Sequence, residues 1–203
     1  MLNLGPVPSK TAVDTKGEAL SVPWTQWFQT LYQLVKSLTG ALGGQYINNA
    51  YGTFYSQVNQ NVVAINTPTL VALEAVATVN GMYRTIAGRI YVNQPAVYLY
   101  QYSIQFNNTG NSIQQPTCWL RKNGTDIPAS ASKFGVVGTH AGSDGYTVGV
   151  SMFMLSLAAG DYVELWWAAD STAVGMEAYP AATVPFAVPT IPSVVVTLSW
   201  ASS

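Results

Sequence analysis

The segment Ala96-Val97-Tyr98-Leu99-Tyr100-Gln101-Tyr102-Ser103-Ile104-Gln105-Phe106 repeats with a period of two residues. From Tyr98 to Phe106 every second residue is aromatic or isoleucine, and Gln or Ser fills most of the positions between them. Successive side chains of a strand point to opposite faces of the sheet, so the pattern predicts one long, half-buried β-strand. Two roles are open for Tyr98, Tyr100 and Tyr102: they fill the interior of a β-sandwich, or they line an axis where three copies of the chain meet.

Strand-like segments continue on both sides of this one. Each is rich in β-branched and aromatic residues, and Gly, Pro, Asn or Asp separates it from the next. They cover residues 52–58, 69–79, 89–93, 117–121, 146–157, 162–168 and 194–200. Lys122-Asn123-Gly124-Thr125 predicts a tight hairpin, because Asn and Gly tolerate the positive φ that the favoured turns need. About eight strands without a second helical segment predict an all-β head, a sandwich or jelly roll, over residues 46–203.

One segment has helical periodicity. The capping residue Ser21 and Pro23 in the first turn mark its start, and Gly40 marks its end. Its apolar side chains form a seam with spacings of three and four residues, widened by Phe28: Trp24, Trp27, Leu31, Leu34 and Leu38. Such a seam docks on the chain's own domain, packs with the same helix of identical chains, or docks on a neighbouring particle protein. We assign residues 21–45 to this helix and a linker, and residues 1–20 to an extended attachment arm or a frayed terminus.

Charged side chains are scarce along the whole chain. It contains 8 Lys and Arg and 9 Asp and Glu in 203 residues, where average composition would supply about 50 charged residues. A surface with so few charges is usually covered by another subunit, so we expect an assembled protein. The net charge of −1 gives no basic footprint for nucleic acid, and no apolar stretch approaches the ~18 residues that span a bilayer.

Few residues are suited to catalysis or to metal binding. His140 is the only histidine and no G-x-S-x-G motif accompanies it, so a turn or contact role is expected. Cys118 is the only cysteine and lies in a predicted strand, which favours a buried thiol. Asp161 and Glu164 have an odd separation, which places them on opposite faces of a strand. We therefore predict a non-enzymatic protein without a metal ion or other cofactor.

Three segments resemble the jelly roll shared by the complement globular head and tumour necrosis factor. They are residues 89–98 (RIYVNQPAVY), 119–124 (WLRKNG) and 155–165 (LSLAAGDYVEL), and Ala96 stands where the family has Gly. The third segment carries the L-x-x-G-D-x-V-x-L motif of that family through Gly160 and Asp161. The resemblance implies a ten-stranded jelly-roll protomer that assembles as a homotrimer.

The segment Pro23-Trp24-Thr25-Gln26-Trp27-Phe28-Gln29-Thr30-Leu31 resembles the P-W-x-x-W-F-x-x-L segment near the start of small tailed-phage virion proteins. Together the resemblances imply a protein of the virion surface, a head fibre or capsid decoration protein, attached to phage capsid or tail proteins through residues 1–38. The alternative is a tail fibre that recognises a host-surface glycan or protein through exposed loops. The loop candidates are Asn108, Asn111, His140 and Asp144.

Overall fold

A computed structural model describes residues 7–8, 22–38, 49–85 and 88–202, with the side chains of residues 37 and 38 excepted. Contacts between residues divide the chain into two units, Met1–Asn48 and Asn49–Ser203. The arm predicted over residues 1–20 lies outside the described residues apart from residues 7 and 8. The linker predicted to follow the helix also lies outside them.

The first unit contains one described helix, α1, which covers Val22–Leu38. Pro23 lies in its first turn, where the missing N–H costs no hydrogen bond, and Lys36 lies in its last turn, where a cation favours the helix dipole. The helix agrees with the predicted one, although Ser21, the predicted cap, lies outside the described residues. No helix in the described part of the chain is long and apolar enough to cross a bilayer.

The second unit contains fourteen strands among its described residues. They are β1 (Tyr51–Ser56), β2 (Gln60–Asn61), β3 (Thr69–Leu70), β4 (Ala75–Asn80), β5 (Met82–Arg84), β6 (Arg89–Val92), β7 (Ala96–Asn108), β8 (Thr117–Lys122), β9 (Thr125–Asp126), β10 (Ser132–Lys133), β11 (Gly145–Leu157), β12 (Tyr162–Ala168), β13 (Val174–Met176) and β14 (Val194–Ser202). The prediction of an all-β head with one helix is confirmed, and the structure divides the head into more strands than the ten predicted.

These strands form two antiparallel sheets of seven strands each. Sheet 1 has the order β2-β13-β7-β14-β1-β4. Strands β14 and β13 pair with successive parts of one edge of β7, and β11 pairs with its other edge. Sheet 2 has the order β10-β8-β12-β6-β5, with β3 on β12 and β9 on β8. The hairpin between β8 and β9 turns at Asn123 (φ 51°) and Gly124 (φ 80°), so the prediction of a tight turn there is confirmed.

The core lies within this unit and contains the inward side chains of both sheets. Tyr98, Tyr100 and Tyr102 of β7 are each 0 % exposed and belong to it, together with Phe54, Trp167 and other large apolar residues. The expectation that the three tyrosines line an axis between subunits is therefore wrong for this chain, because a side chain buried within one copy has no surface to offer another. They fill the interior, which was the other role that the alternation left open.

The predicted strand over residues 69–79 is two strands in different sheets. Residues 69–70 pair with β12 in sheet 2, whereas residues 75–80 pair with β1 in sheet 1. Between them the chain passes from one layer to the other, and Val71 and Leu73 point into the core with no exposed surface. A sequence pattern records burial at these positions but not the change of partner strand.

Candidate assembly surface

Charged residues are distributed unequally between the two sheets. No strand of sheet 1 contains Asp, Glu, Lys or Arg. The charged residues found in the strands all belong to sheet 2: Arg84, Arg89, Arg121, Lys122, Asp126, Lys133 and Glu164. Charge therefore gives no help in keeping the outer face of sheet 1 in water.

A stripe of exposed side chains runs along β11, at the edge of sheet 1. Every second residue of the strand points outward, and these residues are between 48 % and 62 % exposed: Tyr146, Val148, Val150, Met152 and Met154. We call this set the β11 stripe. The side of β11 that faces away from β7 pairs with no described strand. A long apolar edge strand of this kind favours association with another chain.

Strand β7, the neighbour of β11, extends the uncharged outer face of sheet 1 beyond the β11 stripe. Met152 lies opposite Gln101 and Met154 lies opposite Leu99 in the register of β11 with β7. On the same outer face, a groove of about 310 Å³ is lined by residues that include Tyr55, Pro192 and Val195. The face thus offers both a projecting apolar stripe and a recess, which suits contact with a complementary surface.

Sequence reasoning missed the β11 stripe. It placed a strand at residues 146–157 but did not say which side chains point outward. The signal was present, because β11 has apolar residues at consecutive positions, such as Met152, Phe153 and Met154. A strand of a half-solvated antiparallel sheet normally alternates apolar with polar residues, so a strand that is apolar on both faces indicates a covered outer face.

The residues of the predicted seam on α1 differ in their exposure to solvent. Trp24, Trp27, Leu31 and Leu34 are partly buried, Phe28 is 45 % exposed, and the side chain of Leu38 lies outside the described part. The rings of Trp24, Trp27 and Phe28 contact one another, with centroid distances between 5.3 and 6.0 Å. Tyr32, one turn after Phe28, is 62 % exposed. Phe28 and Tyr32 therefore form an exposed aromatic pair on the helix.

Asn108 is not a surface-loop residue, so its assignment as a binding candidate is wrong. It ends β7 and is 0 % exposed. Its amide nitrogen donates to the backbone carbonyls of Ser112 (2.8 Å), Val136 (3.1 Å) and Val137 (3.0 Å), and its Oδ1 accepts from the Gly110 N–H (2.8 Å). Because a buried amide must be satisfied internally, Asn108 ties the loop after β7 to the loop before β11.

The remaining loop candidates lie on these two joined loops. Asn111 is exposed, and its Oδ1 accepts a hydrogen bond of 2.8 Å from the Thr139 hydroxyl. His140 is exposed at a two-residue hairpin closed by its backbone pairing with Ser143, and Asp144 follows at a half-buried position. The structure thus brings Asn111 and the hairpin of His140 to neighbouring loops, which matches the turn role expected for His140.

The residues considered for catalysis are occupied by structural contacts. Cys118 is fully buried, as predicted, and burial raises the pKa of its thiol above the ordinary range. Asp161 pairs with Lys122 at 2.7 Å, and Glu164 pairs with Arg89 at 2.6 Å. Among the described residues, no three His, Cys, Asp or Glu side chains are grouped closely enough to hold a metal ion.

No protein-family model matches the chain, and comparison with curated proteins finds none of significant similarity.

Proposed function

We propose that the chain is a non-enzymatic structural protein of a phage virion, a head fibre or capsid decoration protein that assembles as a homotrimer. The observation that carries the proposal is the β11 stripe, which exposes five large side chains on a sheet whose strands contain no charge. A face of this composition is costly to leave in water, and a second copy of the chain supplies the same kind of uncharged surface.

The arrangement of the strands supports a jelly roll for the protomer. Eight of the strands carry this arrangement, and in chain order they are β1, β6, β7, β8, β10, β11, β12 and β14. When these eight are numbered 1 to 8 along the chain, sheet 1 has the order 1-8-3-6 (β1-β14-β7-β11) and sheet 2 has the order 2-7-4-5 (β6-β12-β8-β10). Two interlocked Greek keys have this order, which is the jelly roll of many capsid proteins. It is also the fold implied by the resemblance of residues 89–98, 119–124 and 155–165 to the trimer-forming complement and tumour necrosis factor family.

Attachment to the virion is assigned to residues 1–38. The support is the likeness of Pro23 to Leu31 to the N-terminal segment of small phage virion proteins, together with the exposed pair Phe28 and Tyr32 on α1. In an oligomer the aromatic pair is presented several times, so weak contacts to a repetitive particle surface add up to firm attachment. The heads project from that surface.

Sedimentation equilibrium of the full chain tests assembly. We expect a species of three times 21.7 kDa at micromolar concentration. Met152→Lys places a charge in the β11 stripe and is expected to release monomers, since Met152 is 61 % exposed and the fold tolerates the change. Ile113→Lys is the matched control, because Ile113 is 63 % exposed but lies in a loop outside sheet 1. A monomeric parent chain would refute the trimer.

Attachment is tested by deleting residues 1–20 and measuring incorporation into purified particles. Loss of the protein from particle heads, with the trimer retained, would agree with the head fibre or decoration role. Loss from tails instead would favour the alternative, a tail fibre that binds a host surface. Unchanged incorporation would refute attachment through the arm.

A further inference from the structure

The outer face of sheet 2 differs in composition from that of sheet 1. Most outward residues of β5, β6, β12, β8 and β9 are aromatic or charged, and the strand register arranges most of these in rows that cross the sheet. We call this set the aromatic face: Tyr83, Arg89, Tyr91, Trp119, Arg121, Asp126, Tyr162, Glu164 and Trp166.

One row consists of tyrosines. Tyr83 lies opposite Tyr91, and Tyr91 lies opposite Tyr162. The first two rings are parallel within 9° with centroids 5.0 Å apart, and the second pair is separated by 5.1 Å. Tyr83 is 44 % exposed on the edge strand β5. The three phenol hydroxyls make no hydrogen bond to any described residue, so they are available to an external partner.

The next row alternates positive and negative side chains across four strands. Arg89, Glu164, Arg121 and Asp126 are successive partners in the register of β6, β12, β8 and β9. Arg89 Nε donates to Glu164 at 2.6 Å, and Arg121 Nε donates to Asp126 at 2.5 Å. The two carboxylates neutralise the two guanidinium groups, so the row has no net charge.

Both arginines keep hydrogen-bonding capacity after these pairings. Their terminal guanidinium nitrogens donate to no residue in the described part of the chain, although each Nε is engaged. The guanidinium of Arg89 lies 5.1 Å from the ring centre of Tyr162, and that of Arg121 lies 4.0 Å from the ring of Trp166. Stacking on a ring holds each group in place, which reduces the entropy lost when a ligand binds.

Two indoles complete the face. Trp166 lies opposite Trp119 in the register, and both side chains are partly exposed. The Trp119 N–H donates to Asp126 at 2.7 Å and the Trp166 N–H donates to Glu164 at 3.0 Å. The ring orientations are therefore fixed before any partner arrives. Rigid Trp, Tyr and Arg side chains supply most of the binding energy in typical recognition surfaces.

We propose that the aromatic face binds an uncharged polysaccharide chain. Ring faces and edges pack against the C–H groups of a sugar, while phenol hydroxyls and terminal guanidinium nitrogens bond to its hydroxyl groups. The charges within the row cancel, so the row itself does not attract an anionic polymer such as nucleic acid or an acidic glycan. An open sheet face accommodates an extended chain, so the site has weak contacts per sugar and gains affinity when several heads act together. This site lies on a different sheet from the β11 stripe.

Native electrophoresis of the full chain through gels that contain hydroxyethyl cellulose, galactomannan or dextran tests this site. We expect retardation in at least one of these neutral polymers. Tyr83→Ala should weaken the binding about fivefold to tenfold, whereas Tyr83→Phe should keep most of it because the ring is retained. Phe186→Ala is the control, since Phe186 is an exposed aromatic residue that lies in neither sheet, and it should bind normally.

Three binding results would overturn the site. They are the absence of retardation in all three gels, retention of full binding by both Tyr83→Ala and Trp119→Ala, and retardation only by dextran sulfate that disappears with added salt. If Tyr83→Ala changes the oligomeric state instead of the binding, the face is a protein contact and the glycan site is refuted. Sedimentation of the same samples separates this result from a failure of assembly through the β11 stripe.

Discussion

The Glu164 carboxylate is 1 % exposed and accepts a hydrogen bond of 2.6 Å from Nε of Arg89, whose own side chain is 34 % exposed. A buried charge at a sheet surface is stable only while its partner remains in place. Hydrogen bonding to Glu164 also raises the pKa of Arg89. The pair joins β6 to β12 on the outer face of sheet 2.

Arg89→Met should destabilise the head by about 2 kcal/mol, because it leaves the buried Glu164 carboxylate with the Trp166 indole N–H as its one hydrogen-bond donor among the described residues. The double variant Arg89→Met/Glu164→Met removes both charges and should regain part of the loss. Urea unfolding followed by tryptophan fluorescence measures both values. Equal stability of the single variant and the parent would contradict the importance of this pair.

Asp161 should make the stability of the head depend on acid pH. Burial is the largest single influence and raises the pKa of Asp161, but hydrogen bonds from Lys122, Asn123 and the Ala158 N–H outweigh it and lower the pKa from 3.8 to about 2. Because the folded pKa is below the unfolded one, the stabilisation is complete above pH ~4 and is lost as the pH falls toward 2.

Asp161→Asn tests this dependence in urea titrations at pH 6 and pH 2.5. The variant should be less stable than the parent at pH 6, and the difference should shrink at pH 2.5. Parallel loss of stability in the two proteins over this interval would exclude Asp161 as a source of the acid dependence.

Tyr100 and Tyr98 should respond in opposite ways to removal of the hydroxyl. The buried Tyr100 hydroxyl has no hydrogen-bond partner among the described residues, whereas the Tyr98 hydroxyl donates to the Gln94 carbonyl at 2.8 Å. Tyr100→Phe should leave stability unchanged or raise it by about 1 kcal/mol, and Tyr98→Phe should lower it by about 1 kcal/mol. Thermal unfolding by calorimetry gives both values. A larger loss in Tyr100→Phe than in Tyr98→Phe would indicate a partner for Tyr100.

Gly145 should tolerate no side chain. A Cβ at this position would lie 1.8 Å from the Val137 carbonyl oxygen, so backbone would have to move. Gly145→Ala should cost roughly 3 kcal/mol of unfolding free energy. The control is Gly135→Ala, because a Cβ at Gly135 meets nothing within 4 Å. Circular dichroism during urea unfolding compares them, and similar stability of the two variants would refute the close approach at Gly145.

Periodicity predicted the long strands because each of them keeps one face in the core. The predicted ends of β7, β12 and β14 lie within two residues of the ends in the structure. The turn at Asn123 and Gly124 followed from local backbone preference. The short strands escaped detection. β5 and β13 have three residues each, too few for an alternation to be recognised, and their place is set by partners distant in sequence.

The candidate surfaces were harder to predict than the strands. Alternation identifies residues that share a face, but it does not say which face is inward, so Tyr98 and its neighbours stayed ambiguous. Asn108 has a typical turn residue type, and its burial depends on carbonyls up to 29 residues away. The aromatic face can be recognised only when the register of strands such as β6 and β12 is known, because their paired residues Arg89 and Glu164 are 75 positions apart in the sequence.

The separation of ionisable groups between the two sheets gives the two sides of the head opposite responses to dissolved salt. Sulfate ions strengthen contacts between apolar surfaces, so they should tighten whatever rests on sheet 1. The same ions screen the exposed members of the row of alternating charges on sheet 2, including Asp126 at 62 % exposure. A rising sulfate concentration should therefore strengthen apolar contacts on sheet 1 while it weakens the exposed ion pairs on sheet 2.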